Sequence, residues 1–541
     1  MGATEKRGTS RFDAIIVGAG HNGLIAAAYL ARAGKRVVVL ERDREIGGST
    51  RTEEPFPGYR FSSCPSLSPL PPRIHNDLDL ERHGLELLAL PGTVWTPGGN
   101  GHRSLLLSES AAQSKEEISR FSAADSERYG EFLDLLKRLC RSLAPQLDNP
   151  PPPFSPHGIR DGLELLRLGG RIRRLGRKDL SELLRIPLLS LADFLSEWFE
   201  TDLLRAQFAA GALIGSLAGP VSPGTASLLL YDFLTGGNAK PGPRVIPRGG
   251  MGNLVRALAA AAEGHGAVIR TGAAVERIQV SGETARGVAL RGGEEILGQV
   301  VLSSADPKRT FLRLIDPIHL DPEFLRRVDH FQMKGAMAVV HLALDRLPEF
   351  SSLSGQPPSP ALRGRVRISP DLEYLERAFD EAKHGCRSAF PFLECLIPSL
   401  TDPTLAPEGH HVMSILVQFA PYHLQAGSWE EEREPLADSV IELLDRYAPG
   451  LSGTIRYRSV LAPSDLEQRY GLTEGHIYHG EHSLDQLYLL RPLPDCAGYR
   501  TPIRNLYLCG AGTHPGGGVT GRCGFNAAAR VLRDWQSAKF R

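Results

Sequence analysis

FDAIIVGAGHNGLIAAAYLARAGKRVVVLE, residues 12–41, is the stretch that decides the fold. It opens with the apolar run Ala14–Val17, which is typical of a strand buried on both faces. Glycines follow in the spacing GxGxxG, at Gly18, Gly20 and Gly23. The alanine-rich stretch Leu24–Arg32 then predicts a helix, and Arg36–Leu40 predicts a second, β-branched strand. This order predicts an α/β protein that contains a dinucleotide-binding unit.

Each part of this unit has a physical role. Gly18 permits the tight turn after the strand, and Gly20 lets the backbone approach a pyrophosphate, while Gly23 allows close packing of helix on strand. The free N–H groups and the positive dipole end of the helix favour phosphates. Glu41 ends the second strand, where its carboxylate can accept hydrogen bonds from both hydroxyls of a ribose.

Length and charge limit the class of protein. The chain has 541 residues, of which 42% are hydrophobic, so we expect two domains or one large interleaved pair with a real core. Lysine and arginine balance aspartate and glutamate, which gives a net charge of zero. This balance argues against bulk nucleic-acid binding, which needs a basic surface.

Cysteine usage and the N-terminus indicate the compartment. The seven cysteines are scattered without a CxxC pair, so neither a disulfide framework nor a redox dithiol is expected. The N-terminal MGATEKRGTSR lacks the apolar core of a signal peptide. We therefore expect a cytoplasmic protein, either free in solution or in peripheral contact with a membrane.

Two further glycine-rich segments indicate a flavin rather than a nicotinamide cofactor. Gly47-Gly48 follows the ribose acid and lets the chain run beside the pyrophosphate and ribityl of a cofactor. Near the other end of the chain, the strand-like Asn505–Gly510 runs into AGTHPGGGVTG and then into a helix predicted over 522–538. A helix N-terminus there can stabilise the negative charge of a reduced flavin. The two ends of the chain together predict an FAD site.

The middle of the chain interrupts the nucleotide domain. Residues 108–205 are largely helical by period, whereas the glycine-rich 249–252 opens a new helix that is followed by strands. We predict the FAD-binding domain over 10–75, 245–320 and 456–541, and an α+β substrate domain over 76–244 and 321–455.

Two segments of the predicted substrate domain remain open to alternatives. Residues 158–178 carry arginines and lysines among leucines, which fits either an amphipathic patch on an anionic membrane or an ordinary solvated helix. Residues 208–233 are almost free of charge, which fits either the wall of an apolar ligand cavity or a buried core helix.

Three motifs together resemble the phytoene desaturase (carotenoid dehydrogenase) type of FAD oxidoreductase. They are GAGHNGLIAAAYLARAGKRVVVLER with its glycine pair, GGMGNL, and LYLCGAGTHPGGGVTGRCG. LERHGLEL and HIYHGEHSLDQLYLLRP are similar to the branch called pyridine nucleotide-disulfide oxidoreductase domain-containing protein type 2. The resemblance covers nearly the whole chain. It implies bound FAD and a glutathione-reductase-type two-domain fold.

The resemblance also implies roles for individual residues. The residues of the first motif would hold the pyrophosphate. Glu41 and Arg42 would hold the adenosine ribose, and Val275 would contact the adenine through its backbone. The full set of implied cofactor-binding residues is Gly18, Ala19, Gly20, His21, Asn22, Gly23, Glu41, Arg42, Gly47, Gly48, Ser49, Val275, Gly510, Ala511, Gly517, Gly518 and Val519. One position departs from the pattern, because Ser49 follows the glycine pair where many desaturases and amine oxidases have arginine.

No metal site and no catalytic residue are assigned. His476, His479 and His482 are spaced i, i+3, i+6, which is not a standard zinc set, so a role near the flavin or in loop packing is expected instead. No Ser/His/Asp or paired-carboxylate constellation is evident in the sequence.

Three functions remain. The first is an FAD-dependent oxidoreductase that transfers hydride between a small apolar, isoprenoid-like substrate and flavin N5, by desaturation, saturation or isomerisation. The second is an amine or amino-acid oxidase on the same fold, which would need aromatic residues beside the flavin that the PGGG loop lacks. The third is a flavin-binding interaction protein with little turnover.

Overall fold

Strands and helices alternate along most of the chain. The computed structural model describes residues 11–63, 70–98, 103–152, 162, 166, 169–170, 172–237, 239, 242, 244–353 and 360–537. The strands are β1 (Arg11–Val17), β2 (Val37–Leu40), β3 (Thr52–Phe56), β4 (Tyr59–Ser62), β5 (Leu87–Leu90), β6 (Val94–Thr96), β7 (Leu105–Leu107), β8 (Arg244–Pro247), β9 (Val268–Arg270), β10 (Val275–Ser281), β11 (Thr284–Leu290), β12 (Glu295–Ser303), β13 (Met337–Leu344), β14 (Arg365–Ile368), β15 (Phe392–Leu396), β16 (His411–Gln418), β17 (Ile455–Leu461) and β18 (Leu506–Leu508).

The α-helices connect and cover these strands. They are α1 (His21–Arg32), α2 (Pro72–Asp77), α3 (Ala111–Ser119), α4 (Ala123–Leu147), α5 (Gly176–Arg185), α6 (Leu191–Trp198), α7 (Asp202–Leu213), α8 (Ala226–Thr235), α9 (Met251–Gly264), α10 (Pro307–Arg313), α11 (Pro322–Asp329), α12 (Pro360–Arg363), α13 (Leu372–Lys383), α14 (Trp429–Asp445), α15 (Pro463–Tyr470) and α16 (Arg522–Gln536). In the described ranges, no helix combines the length and apolarity that crossing a bilayer requires.

The first sheet carries the glycine turn. Its strand order is β10-β11-β12-β1-β2-β9, and β18 pairs with the C-terminal half of β12. Strands β18, β12, β1, β2 and β9 run parallel, so their carboxyl ends meet at one edge. Ala14 and Ile16 face the helices α1, α9 and α16, whereas Ile15 and Val17 face α10 and α11. This alternation confirms the predicted strand buried on both faces.

The second sheet has the order β17-β13-β16-β15-β14-β6-β7 and is antiparallel except where β6 pairs with β14. All residues of β13 are buried, because helices and loops cover both faces of the sheet. Helices α3, α4 and α6–α8 form a separate apolar cluster beside it. The observed architecture is therefore α/β with mixed sheets.

Several element boundaries differ from the sequence predictions for identifiable reasons. Helix α1 begins at His21 rather than Leu24, since the Leu24 N–H already donates to the Gly20 carbonyl at 3.0 Å. The sequence predicts separate strands at 295–298 and 300–302, but they form the continuous β12, where Gly298 makes room for the Ile15 side chain. The composition of residues 350–365 predicts a flexible loop, but Pro360–Arg363 of this segment form the short helix α12.

The basic stretch 158–178 is only partly within the described residues. Positions 158–161, 163–165, 167–168 and 171 lie outside them. From position 172 onward the stretch leads into α5, on which Arg177 and Lys178 are exposed.

The contact between α1 and α16 joins the two ends of the chain and can be tested through Gly524. A Cβ on Gly524 would lie 2.1 Å from the Asn22 carbonyl oxygen. We expect Gly524→Ala to lower the free energy of unfolding by about 1–3 kcal/mol, because the helices must separate. Gly169→Ala is the control, since Gly169 is helical with no atom within 4 Å of an added Cβ. Thermal unfolding of both variants checks this, and equal melting temperatures would contradict the close packing.

Candidate functional site

A cavity of about 340 Å³ opens along the carboxyl edge of the first sheet and extends to the second sheet. Its first part is lined by the glycine turn, the end of β2 and the glycine pair. Its last part is lined by apolar side chains of α7, α8, β13 and β16. The two parts meet at the C-terminal glycine loop. The cavity therefore has a polar, backbone-rich end and an apolar end.

The Glu41 carboxylate is held at the polar end by backbone donors. Its Oε2 accepts from the Ala19 N–H at 2.8 Å, and its Oε1 accepts from the Asp43 N–H at 3.1 Å. The Gly47 N–H in turn donates to the Ala19 carbonyl at 2.9 Å, so the glycine turn and the glycine pair lie side by side. These contacts fix one acidic side chain beside the N-terminus of α1.

Most of the sequence-predicted site residues line this cavity. They are Gly18, Gly20, His21, Asn22, Glu41, Arg42, Gly47, Gly48, Ser49, Val275, Ala511, Gly517, Gly518 and Val519. Ala19, Gly23 and Gly510 lie behind the wall instead. A Cβ on Gly23 would lie 2.2 Å from the Gly18 carbonyl oxygen, and one on Gly510 would lie 2.5 Å from that of Ser304. These two glycines permit close backbone packing beneath the site.

The buried Arg491 organises the loops around the C-terminal glycine segment. Its guanidinium donates to the carbonyls of Tyr478, Glu481, Ala511 and Thr513 at 2.7–3.3 Å. Burial lowers the pKa of this guanidinium. The sequence analysis did not single out Arg491, although it lies within HIYHGEHSLDQLYLLRP. One side chain thus ties residues 478–481 to residues 511–513.

His21 and His479 contribute ring nitrogens without hydrogen-bond partners to the cavity wall. They are Nε2 of His21 and Nδ1 of His479, both shielded from solvent. Burial lowers the pKa of each imidazole to about 4. Buried polar atoms normally have a partner, so these two nitrogens fit a hydrogen-bonding ligand. The free N–H groups at the N-terminus of α1 lie beside His21 and supply the donors that a diphosphate requires.

The apolar end is built from residues that face each other across the gap between helices and sheet. They are Ala212, Ile214, Leu228, Met337, Val339, Leu416 and Ile477. Within residues 208–233, Phe208 and Phe233 pack in the helical core instead. The uncharged segment 208–233 therefore contributes some residues to the apolar cavity wall and others to the buried helical core.

Two buried carboxylates, Asp232 and Glu394, also line the cavity, and neither was predicted as a site residue. Glu394 Oε2 accepts from Arg367 Nε at 2.8 Å. Arg244 and Arg365 act electrostatically on both carboxylates, and burial lowers the pKa of Arg365 to about 9. Three buried arginines therefore compensate the negative charge at this point of the wall.

Aromatic rings cover the C-terminal glycine loop from other segments. The His482 ring lies between Tyr231 and Tyr478, with centroid distances of 4.4 and 4.6 Å. His482 Nε2 accepts from the Gly517 N–H at 3.2 Å, and burial lowers the pKa of His482 well below its usual value. The PGGG loop lacks aromatic residues in the sequence, but the fold brings three rings to it. The lack of aromatic residues in the loop's own sequence is therefore no argument against an amine oxidase.

His476 has a local structural role. Its Nδ1 accepts from the Tyr478 N–H at 3.2 Å, and its Nε2 lies 3.3 Å from Glu481 Oε1. Among the described residues, no group of three or more potential metal ligands is found. His479 and His482 line the cavity, whereas His476 stabilises the turn that carries them.

Known proteins align with this chain over nearly its whole length. Residues 23–532 match the model of the family described as flavin containing amine oxidoreductase. The pyridine nucleotide-disulfide oxidoreductase domain-containing protein 2 of Rattus norvegicus is 39% identical, covering 97% of this chain and 94% of the rat protein. The phytoene desaturase of Fusarium fujikuroi is 27% identical, and the alignment covers 93% of this chain and 86% of the desaturase.

Solved structures share the fold at low identity. Cyclohexylamine oxidase from Brevibacterium oxydans IH-35A superposes with a TM-score of 0.60 at 17% identity, covering 97% of this chain and 100% of that chain. The family match and the rat relative confirm the resemblance inferred from the sequence motifs, and with it the flavin. The chain belongs to the flavin-containing amine oxidoreductase family, and its cofactor is FAD.

Proposed function

We propose that the protein is an FAD-dependent oxidoreductase that transfers hydride between a small apolar, isoprenoid-like substrate and flavin N5, by desaturation, saturation or isomerisation. The observation that carries the proposal is the apolar end of the cavity, which meets the cofactor end at residues 517–519. Apolar walls favour a hydrocarbon-like ligand, because burial of its surface drives binding. A relative named phytoene desaturase supports the same substrate class.

We propose the polar end as the place of the cofactor. The glycine turn and the N-terminus of α1 would hold the diphosphate, Glu41 and Arg42 the adenosine ribose, and Val275 the adenine. Bound FAD supplies a two-electron acceptor at N5 of its ring. The chain's own contribution is to orient the substrate along the apolar wall and to exclude water with the rings of Tyr231, Tyr478 and His482. No residue is assigned as a catalytic acid or base.

We propose a glutathione-reductase-type division into two domains. The FAD-binding domain would comprise residues 10–75, 245–320 and 456–541, and the substrate domain residues 76–244 and 321–455. The separation of the described strands into two large sheets supports this division. The strands β1, β2, β9–β12 and β18 of the first sheet all come from the three proposed FAD-binding segments.

An amine or amino-acid oxidase is the second candidate. The carboxylates Asp232 and Glu394 on the cavity wall favour it, because a protonated amine needs a negative partner. Their charge is compensated, however, by the buried Arg244, Arg365 and Arg367. This compensation removes most of the attraction for a cation, so the apolar substrate is preferred. A flavin-binding interaction protein with little turnover is the third candidate.

Anaerobic reduction of the purified yellow protein distinguishes the three candidates. We expect the oxidised flavin to bleach when an isoprenoid that can be desaturated is added, or the previously reduced flavin to regain its absorbance when a polyene that can be saturated is added, and neither change to occur with amines and amino acids. Bleaching by amines alone would establish the oxidase instead. No change of flavin absorbance in either direction with either class, and no isomerised product, across a broad panel would favour the interaction protein.

Leu228 and Leu230 provide a matched pair for testing the apolar wall. Both lie on α8 and are equally buried, but only Leu228 lines the cavity. We expect Leu228→Ala to lower kcat/KM for the apolar substrate about tenfold or more, because lost apolar contact costs about 1–3 kcal/mol in discrimination. Leu230→Ala loses a similar core contact and should keep its kcat/KM. Equal losses of kcat/KM in the two variants would contradict the proposed substrate position.

Glu41 can be tested through cofactor affinity. Glu41→Gln removes the negative charge that would accept hydrogen bonds from the ribose, and such bonds contribute about 1.5–3 kcal/mol. We therefore expect FAD to bind about tenfold to a hundredfold more weakly, measured by flavin fluorescence titration. Glu45→Gln is the control, because Glu45 is exposed and lies outside the cavity wall. An unchanged dissociation constant for Glu41→Gln would remove this residue from the cofactor site.

We also propose a peripheral contact with an anionic membrane. Leu166, Leu184 and Leu188 are 73%, 65% and 76% exposed, which is unusual for leucine, and Arg177 and Lys178 are exposed near them in the chain. Exposed apolar side chains beside basic ones favour the boundary between lipid headgroups and acyl chains. An apolar substrate would be found in the same membrane.

Vesicle flotation tests this contact. The protein should float with vesicles that contain anionic lipid and less with zwitterionic vesicles, and Leu184→Ser with Leu188→Ser should reduce the floating fraction severalfold. Ile318→Ser is the control, because Ile318 is 82% exposed but lies after α10, in the proposed FAD-binding domain. The proposal would be contradicted if the floating fraction were equal on anionic and zwitterionic vesicles and unchanged by the two leucine substitutions.

A further inference from the structure

Two imidazoles face the cofactor end of the cavity from segments far apart in the chain. His21 is the first residue of α1, and its ring is hydrogen-bonded to the backbone of Gly518 in the C-terminal glycine loop. His479 lies in the loop after α15 with a positive φ of 55°. Each ring keeps one buried nitrogen without a partner, as described above. The two rings are close enough to influence each other's charge.

Burial, together with the balance of the charged groups around this pair, keeps it neutral in the protein alone. Burial is the largest effect on both imidazoles, and His479 further disfavours protonation of His21. Around His479, Asp306 favours protonation, whereas His476, Arg491 and Arg309 oppose it. With the pKa of each ring at about 4, neither carries a proton charge near pH 7.

We propose that His21 and His479 clamp the diphosphate of FAD between them and take up about one proton from solvent as the cofactor binds. The proton adds to an unpartnered ring nitrogen, and the resulting imidazolium donates to a phosphate oxygen. This inference rests on the FAD cofactor and on its placement at the glycine turn, and it is independent of the substrate.

The physical reason is charge compensation in a site of low dielectric. An anion within hydrogen-bond reach favours the charged form of an imidazole, so the pKa of the pair rises when the diphosphate arrives. Each ring opposes protonation of the other, which favours one shared proton over two. The diphosphate diester has no proton of its own to exchange near neutral pH, so the uptake would come from the protein.

The sign of the pH dependence follows from this rise. The pair binds more protons in the complex than in the free protein, so the affinity for FAD increases as the pH falls. As the pH falls, the affinity for FAD begins to increase at the pKa of the imidazole pair in the complex. It stops increasing near pH 4, which is about the pKa of each ring in the free protein. Between these limits the dissociation constant should change by up to about tenfold per pH unit.

Calorimetry on the full chain, freed of flavin, tests the proposal without any variant. FAD is titrated at pH 5.5 in acetate and in MES, whose ionisation enthalpies differ strongly, because a rise of about 1–3 pKa units from about 4 makes the proton uptake largest between pH 4 and 7. We expect the apparent binding enthalpy to differ between the buffers by an amount equal to about one proton taken up. Identical enthalpies, or proton release, would overturn the proposal while leaving the FAD site and the proposed substrate untouched.

Variants then locate the proton. His21→Asn and His479→Asn keep a hydrogen-bonding side chain but cannot be charged, so each should reduce the uptake severalfold and flatten the pH dependence of the dissociation constant. His265→Asn is the control, because His265 is exposed at the end of α9 and outside the cavity wall. If both cavity variants bind FAD and retain the full uptake, the proton goes elsewhere and the assignment fails.

Discussion

The close contact of α1 with α16 is the interaction on which the rest of the structure depends. The Gly524 N–H donates to Asn22 Oδ1 at 3.3 Å, and no side chain separates the two backbones. Because α1 follows the glycine turn and α16 follows the C-terminal glycine loop, this contact brings both loops to the same sheet edge. The parallel strands place their carboxyl ends there as well. The polar end of the cavity is thus a consequence of packing between the two ends of the chain.

Much of the first sheet could be predicted because its signals are local. The buried run of β1, the spacing of the glycines and the acid after β2 all lie within residues 12–41, and the structure has the expected order of elements. Helix α9 likewise begins at Met251, within the glycine-rich 249–252 where the sequence predicts the start of a helix, since hydrophobic period is a property of short segments. The strands expected at 295–298 and 300–302 are one continuous strand, β12, in which Gly298 permits the close approach of Ile15.

The remaining site residues could not be predicted because they depend on tertiary pairing. Arg491 belongs to a segment without regular period, and its role exists only when the carbonyls of two loops converge on it. In the sequence, Tyr231 and His482 are separated by most strands of the second sheet, yet their rings are in contact. Glu394 is inside a strand whose other residues are apolar, and only the structure shows Arg367 beside it. No spacing rule connects such positions.

The C-terminal glycine loop explains why the cavity changes character where it does. A Cβ on Gly517 would lie 2.3 Å from Tyr478 Cδ1, and one on Gly516 would lie 2.5 Å from the Tyr231 hydroxyl. The loop therefore has no side chains on this face because aromatic rings occupy the space. On one side its backbone is hydrogen-bonded to the His21 ring, and the same cavity continues on to the apolar wall. Any group that bridges the two parts of the cavity must pass between a bare backbone and these rings. Side chains from distant segments, rather than the loop itself, thus determine what can lie against the bridging group.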